Sequence, residues 1–181
     1  MRKLALTAAI ALSAAALATT ASARPWNDTR LVIDVPSGYT VVEGTHQTAA
    51  DRSYVEIAAP DDDCAFYSTD AQIPTVELAR SAILEDTRFS NEYLAQVSQM
   101  FPALVPDGTP ATVTSNTVET NGPWPIRRIS YRAGERVTHA AIQWRPGLQL
   151  IAMCSRYQGA ESAPSRYDGI FRAIAHPNDA T

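Results

Sequence analysis

The stretch that decides the fold is VTSNTVETNGPWPIRRISYRAGERVTHAAIQWRPGLQLIAMCS, residues 113–155. It divides into four β-rich runs, separated by the turn signals Asn121-Gly122, Ala133-Gly134 and Pro146-Gly147. Short turns of this kind join neighbouring antiparallel strands. We therefore predict an antiparallel meander, with strands at 113–119, 126–132, 136–144 and 148–155.

Upstream of the meander, four shorter runs also have the pattern of strands: 31–35, 39–43, 53–59 and 64–67. Pro36-Ser37-Gly38 is a turn signal, so the run 39–43 is predicted to return beside 31–35. Residues 45–51 are polar and are predicted to form a loop, and residues 60–63 a turn.

Between these strands and the meander the hydrophobic period changes to that of a helix. A first helix is predicted after the N-cap Thr75, with Val76, Ala79 and Ile83 on one stripe. A second is predicted from about Ser90 to Pro102. Its core-facing stripe comprises Tyr93, Leu94, Val97, Met100 and Phe101.

A closing helix is predicted from Pro164 to Ala175, with Tyr167, Ile170, Phe171 and Ile174 on its apolar side. Strands, two helices, a meander and a last helix describe an α+β protein. We predict a single-domain antiparallel sheet sandwich with flanking helices.

The N-terminus has the pattern of a signal peptide. Arg2 and Lys3 precede an apolar run, and Ala21-Ser22-Ala23 supplies small residues before a cleavage site. We predict that residues 1–23 are removed and that 24–181 form one α+β domain. The run is too short to span a bilayer, so no membrane span is expected. The product is expected to be periplasmic or secreted.

Charge limits the functions open to the remaining chain. Losing Arg2 and Lys3 leaves 13 of the 15 basic residues against 19 acidic ones, a net charge of −6, and all 13 are arginine. A chain without lysine has no amine for Schiff-base chemistry. An acidic chain also disfavours broad nucleic-acid binding, which needs clustered positive charge.

Cys64 and Cys154 are the two cysteines of the chain. In an exported protein without a C-x-x-C motif, a pair of this kind predicts one disulfide, and a reactive thiol pair is the alternative. The bond would require Cα atoms about 4.4 to 6.8 Å apart. It would join the N-terminal strands to the meander.

Two segments resemble the PsbP-like family, which includes photosystem II extrinsic proteins and bacterial proteins with export signals. They are LVIDVPSGYTV at residues 31–41, similar to that family's strand-P-x-G-[WY] opening, and SRYDGIFRAIA at 165–175, similar to its last helix. The resemblance implies an α/β/α sandwich used for binding or assembly, and it brings no catalytic residue. The chain departs from the family in its cysteine pair and in Tyr39, where tryptophan is commoner.

Arginines concentrate in the meander, and strand alternation puts Arg128 and Arg132 on one face. Guanidinium groups there could receive carboxylates or phosphates, and cross-strand ion pairs are the alternative. Trp124 lies between two prolines in a predicted turn, where it either packs over the sheet edge or binds a partner. These residues and His139 form the predicted binding set, for an envelope protein or an anionic ligand.

No metal or cofactor site is predicted. The histidines, His46, His139 and His176, lack the i, i+4 spacing of helical metal ligands. Asp61-Asp62-Asp63 could offer oxygens to calcium but lacks the spacing of a calcium loop, so an acidic surface turn is predicted instead.

Two function hypotheses follow. The first is an exported, non-enzymatic binding or assembly module of the bacterial periplasm. The second is a small envelope hydrolase that uses His139 with a nearby carboxylate, although the chain has no G-x-S-x-G elbow and no glycine-rich phosphate loop. A secreted eukaryotic protein also remains open, since Asn27-Asp28-Thr29 fits a glycosylation acceptor.

Overall fold

Two antiparallel sheets and their flanking helices make up the computed structural model, which describes residues 25–27, 30–45, 47–49, 51–101, 109–156 and 163–175. The strands in this part of the chain are β1 Pro25–Asn27, β2 Val32–Asp34, β3 Thr40–Val41, β4 Gln47–Ala49, β5 Arg52–Ala58, β6 Asp62–Asp70, β7 Thr112–Glu119, β8 Ile126–Ala133, β9 Arg136–Arg145, β10 Leu148–Arg156 and β11 Ile174–Ala175. The helices are α1 Val76–Leu84, α2 Asn91–Ser98 and α3 Asp168–Arg172, with a 3₁₀ turn at Pro164–Tyr167 before α3. The signal segment, His46 and His176 lie outside the described residues.

The predicted meander is confirmed: its four strands form one side of the larger sheet and end at the edge strand β7. The described strands of this sheet run β3-β5-β6-β10-β9-β8-β7, with β4 also on β5. Gly134 and Gly147 have positive φ angles of 59° and 74°, the left-handed conformation that tight hairpin turns require. The α+β class and the flanking helices are confirmed with it.

The N-terminal hairpin predicted from residues 31–43 is wrong. Val32–Asp34 pairs with β1 and β11 in the smaller sheet, whereas Thr40–Val41 pairs with Ile57 and Ala58 in the larger one. The turn between them begins with a bond from the Tyr39 N–H to the Pro36 carbonyl, 3.1 Å, and includes Gly38 at φ 88°. It carries the chain from the smaller sheet to the larger one.

Both internal helices begin where predicted. The Thr75 hydroxyl accepts a hydrogen bond from the Leu78 N–H, and the Ser90 hydroxyl accepts one from the Tyr93 N–H. The second helix ends at Ser98, before Pro102, so it is shorter than predicted.

The predicted closing helix is correct only in part. After the 3₁₀ turn and α3, the backbone N–H of Ala173 bonds to the carbonyls of Gly169 and Ile170 and closes the helix. Ile174, predicted on the helical stripe, instead pairs with Ile33 as a strand and is buried. As a strand, Ile174–Ala175 pairs with the open edge of β2, whose backbone groups a longer helix would leave unpaired.

The larger sheet has a core on each face. One lies against the smaller sheet and α3, and we call this face the closed face; its buried residues include Leu31, Ile57, Phe66, Leu150 and Phe171. The other lies under α1 and α2, and we call it the helix face; its core includes Ile83, Phe89, Leu94, Ile129 and Ile142.

The three consecutive aspartates do not form the acidic surface turn that we predicted. Asp62 is 2% exposed, and its carboxylate accepts hydrogen bonds from the Tyr167 hydroxyl at 2.8 Å and from Arg166 Nε at 3.0 Å. Asp63 pairs with Arg136, whereas the side chain of Asp61 is 70% exposed. The alternation of the strand sends neighbouring carboxylates to opposite faces, so they do not converge on one ion.

The disulfide is present. Cys64 and Cys154 face each other on the neighbouring strands β6 and β10, with Cα atoms 4.1 Å apart, just below the predicted range. Both are buried on the closed face. The bond joins the N-terminal strands to the meander, as predicted.

Replacing Cys154 with serine is expected to lower the free energy of unfolding by about 2 to 5 kcal/mol, because the closed loop spans a sequence separation of 90 residues. Thermal unfolding with and without reductant measures the effect. Reductant should destabilise the wild type and leave Cys154→Ser unchanged. Equal unfolding temperatures for the wild type in both conditions would contradict the prediction.

Asp62→Asn is expected to cost about 2 kcal/mol at pH 7, because it removes the charge that faces Arg166. Burial alone would raise the pKa of Asp62, but the bonds from Arg166 and Tyr167 outweigh it and hold the pKa below its ordinary value. Because the pKa of Asp62 is lower in the folded state, its ionised carboxylate stabilises the fold above about pH 4, the ordinary pKa of an aspartate. This stabilisation is lost as the pH falls through the folded-state pKa.

Urea unfolding between pH 2 and 7 tests this, with the exposed neighbour variant Asp61→Asn as the matched control. The free energy of unfolding should fall less steeply toward acid pH in Asp62→Asn than in the wild type. Asp61→Asn should follow the wild type within about 0.5 kcal/mol. Identical profiles for the two variants would refute the assignment.

Candidate functional site

A cavity of about 720 Å³ lies between α2 and the helix face of the sheet. Its described lining is Tyr67, Thr69, Thr87, Arg88, Phe89, Tyr93, Leu94, Val97, Ser98, Met100, Phe101, Tyr131, Ala140, Ile142, Trp144, Gln149, Ile151 and Met153. Six of these residues are aromatic, so we call it the aromatic cavity. Its volume lies within the range of about 300 to 1,000 Å³ that small-molecule sites occupy.

Strand alternation builds the floor of the aromatic cavity. Tyr67, Tyr131, Trp144 and Ile151 come from four strands, β6, β8, β9 and β10, and all lie on the helix face. Ala140 lies among them and contributes only a methyl group, which leaves space above the sheet.

Aromatic contacts fix the two ends of the cavity. At one end the ring of Phe89 lies 5.1 Å from that of Trp144, and at the other the ring of Phe101 lies 5.4 Å from that of Tyr67. These are ordinary separations for packed aromatic pairs. Both phenylalanines flank α2, whose Leu94 is buried in the core of the helix face.

The outer rim is apolar and exposed. Tyr93 is 50% exposed and Met100 is 77% exposed, although both belong to the stripe that we predicted to face the core. Leu94 from the same stripe is buried. The predicted core stripe therefore divides between true core and the lining of an open cavity.

One polar group of the lining has no partner among the described residues: the buried indole N–H of Trp144. Leaving such a donor without an acceptor costs about 1 to 3 kcal/mol. Beside it, the guanidinium carbon of Arg88 lies 5.4 Å from the centre of the indole ring. Arg88 also meets Glu85 at 3.2 Å, and its side chain is 49% exposed at the cavity mouth.

Two phenols of the lining, those of Tyr67 and Tyr131, are neutral at physiological pH. Burial, and secondarily the charge of Glu56, raises the pKa of Tyr67 to about 12. Burial alone also raises the pKa of Tyr131. Arg88 is thus the single charged side chain among the described lining residues.

Arg127 supports the aromatic cavity from below, on the helix face. It is 1% exposed, and its Nε donates to the Ile83 carbonyl at 3.0 Å, while its NH1 donates to Asn116 at 2.8 Å. Asn116 in turn donates to the carbonyl of Phe89 at 2.8 Å. The end of α1 and the start of the cavity wall are therefore bound to the same buried cation.

The predicted binding set lies elsewhere, on or near the closed face. Arg128 pairs with Asp168 at 2.5 Å and lies over the ring of Phe171, 4.5 Å from its centre. Arg132 is on the same face, opposite Val137 in the neighbouring strand. The meander arginines do not form one continuous patch, since Arg127 and Arg128 point to opposite faces.

Trp124 is half-buried in the turn before β8. The guanidinium carbons of Arg80 and Arg145 lie 5.4 Å and 5.2 Å from the centre of its ring. Burial lowers the pKa of Arg145 to about 10. A neighbouring cavity of about 140 Å³ is small beside the aromatic cavity.

His139 is 3% exposed and lies under the smaller layer. Its Nδ1 is 2.9 Å from the Ser130 hydroxyl, and the Tyr167 ring lies 5.7 Å away. It lines none of the three cavities described for the residues that the structure covers. A hydrolytic histidine needs access to substrate, which this position does not provide.

Among the described residues, no three acidic, histidine or cysteine side chains cluster as metal ligands would. Within the same residues, no helix combines the length and the apolar character needed to cross a membrane.

The sheet order, the two cores and the closing α3 define a PsbP-like fold. A matching solved structure is the solution structure of cyanobacterial PsbP (CyanoP) from Synechocystis sp. PCC 6803. The TM-score is 0.59 at 14% sequence identity, over 91% of this chain and 98% of that one. Neither protein-family models nor curated proteins gave a match. At this identity the likeness establishes the fold alone, and the function must be argued from this chain's own residues.

Proposed function

We propose that this protein is an exported, non-enzymatic binding module of the bacterial periplasm, and that the aromatic cavity is its binding site. The single observation that carries the proposal is an apolar cavity of about 720 Å³ with an exposed apolar rim. Soluble proteins rarely leave such surface open unless it binds something.

The chemistry of the lining supports binding rather than catalysis. Its described residues include no carboxylate, imidazole or thiol, which are the usual general bases and nucleophiles. The hydroxyl of Tyr67, with a pKa of about 12, is a poor base at neutral pH. The lining therefore offers shape, apolar contact and a few hydrogen-bond donors.

Export is supported by two independent features of the chain. Residues 1–23 have the pattern of a signal peptide. The bond between Cys64 and Cys154 is of the kind that persists in oxidising compartments.

Expression of the full-length sequence in a Gram-negative host tests export. The periplasmic product should begin at Arg24, and its two cysteines should react with an alkylating reagent only after reduction. N-terminal sequencing and mass spectrometry measure both. An intact N-terminus in the cytoplasm, with freely reactive thiols, would contradict the proposal.

The neutral fluorescent probe N-phenyl-1-naphthylamine tests binding. The wild type should bind it at about one equivalent, and the rim variant Tyr93→Ser, Met100→Ser should bind it about tenfold more weakly because apolar contact area is lost. Both positions are at least half exposed, so the fold should tolerate the changes.

Leu78→Ser is the matched control for the rim variant. Leu78 is 51% exposed on α1 and does not line the aromatic cavity, so its loss should leave probe affinity unchanged. No probe binding by the wild type, or equal weakening by Leu78→Ser, would refute the cavity as the binding site.

A further inference from the structure

The partnerless N–H of Trp144 carries information about what the aromatic cavity binds. An indole nitrogen is only a donor, so the group that satisfies it must be a hydrogen-bond acceptor. Trp144 lines the aromatic cavity, and an acceptor carried by a bound molecule would satisfy this donor.

The charge around this donor favours an anionic acceptor. Arg88 lies over the Trp144 ring, and its Nε lies 3.2 Å from the Glu85 carboxylate. A guanidinium group has five N–H donors, so it can bind a second carboxylate. The described lining contains no acidic residue, and burial keeps Tyr67 and Tyr131 neutral.

The rest of the cavity is apolar. From the Trp144 end it extends past Ile142, Met153 and Ile151 toward Phe101. An occupant must therefore combine an apolar body with one oxygen-bearing end.

We propose that the aromatic cavity binds an amphiphilic carboxylate, whose oxygen accepts a hydrogen bond from Trp144 Nε1 and whose charge faces Arg88. This rests on the proposed function and specifies its ligand. A fatty acid and an aromatic acid share this chemistry, and they differ only in the body that fills the apolar part of the cavity.

Displacement of the naphthylamine probe at pH 7.5 tests the proposal with three head groups on one chain: dodecanoate, dodecanol and dodecyltrimethylammonium. Dodecanoate should bind at least tenfold more tightly than the trimethylammonium compound, and dodecanol should lie between them. A second arm compares 2-naphthoate with 2-naphthol, and a preference for the acid in either arm supports the carboxylate and shows which body the cavity accepts.

Two variants separate the hydrogen bond from the charge. Trp144→Phe should weaken both dodecanoate and dodecanol by about fivefold or more, whereas Arg88→Gln should weaken dodecanoate alone. Trp124→Phe is the matched control, because Trp124 lies outside the aromatic cavity, and it should bind like the wild type. Unfolding temperatures confirm that each variant folds, and Arg88 is exposed enough for its replacement to be tolerated.

The outcomes distinguish this inference from the proposed function. Probe binding with equal affinity for all three head groups would overturn the carboxylate and leave the binding site standing. Unchanged dodecanoate affinity in both Trp144→Phe and Arg88→Gln would do the same. Absence of binding by the probe and by every amphiphile would overturn the proposed function as well.

Discussion

A buried carboxylate determines how the two layers of this protein meet. Asp62 begins β6 in the larger sheet, yet its bonding partners, Arg166 and Tyr167, belong to the 3₁₀ turn that leads into α3. An unpaired charge at that depth would be strongly unfavourable, so the turn has to sit over the end of β6. The disulfide begins two residues further along the same strand, at Cys64. The Asp62–Arg166 ion pair fixes the 3₁₀ turn over the larger sheet, and the disulfide fixes β6 to β10 on its closed face.

The two faces of the larger sheet are covered by different elements. The smaller sheet and α3 cover the closed face with rings such as those of Tyr167 and Phe171 and with the ion pair of Arg128. On the helix face of the same sheet, the described covering helices are α1 and α2. The aromatic cavity stays open beside α2, where Tyr93 and Met100 of its rim are exposed.

The sequence correctly predicted those features that depend on residues close to each other in the chain. The meander, the cap Thr75 and the cysteine pair follow from turn residues, a capping hydroxyl and the oxidising compartment. The predictions were wrong where a segment pairs with a strand that is far away in the sequence. Thr40 and Val41 pair with β5 rather than with the preceding strand, and Ile174 becomes a strand because β2 has an open edge. The cavity was missed for the same reason: Tyr93 and Met100 have the periodicity of core residues, and only the spacing between α2 and the sheet shows that they line an opening.

Because of the buried guanidinium of Arg127, the two ends of α2 are held to the sheet by different kinds of contact. Through the Ile83 carbonyl and Asn116, it ties the exit of α1 and the carbonyl of Phe89 to the sheet, one residue before the Ser90 cap. The far end of the helix is held by an edge-to-face contact of Phe101 with Tyr67. An occupant of the cavity therefore meets a wall at Phe89 that hydrogen bonds anchor to the sheet, and a wall at Phe101 that rests on contact between rings.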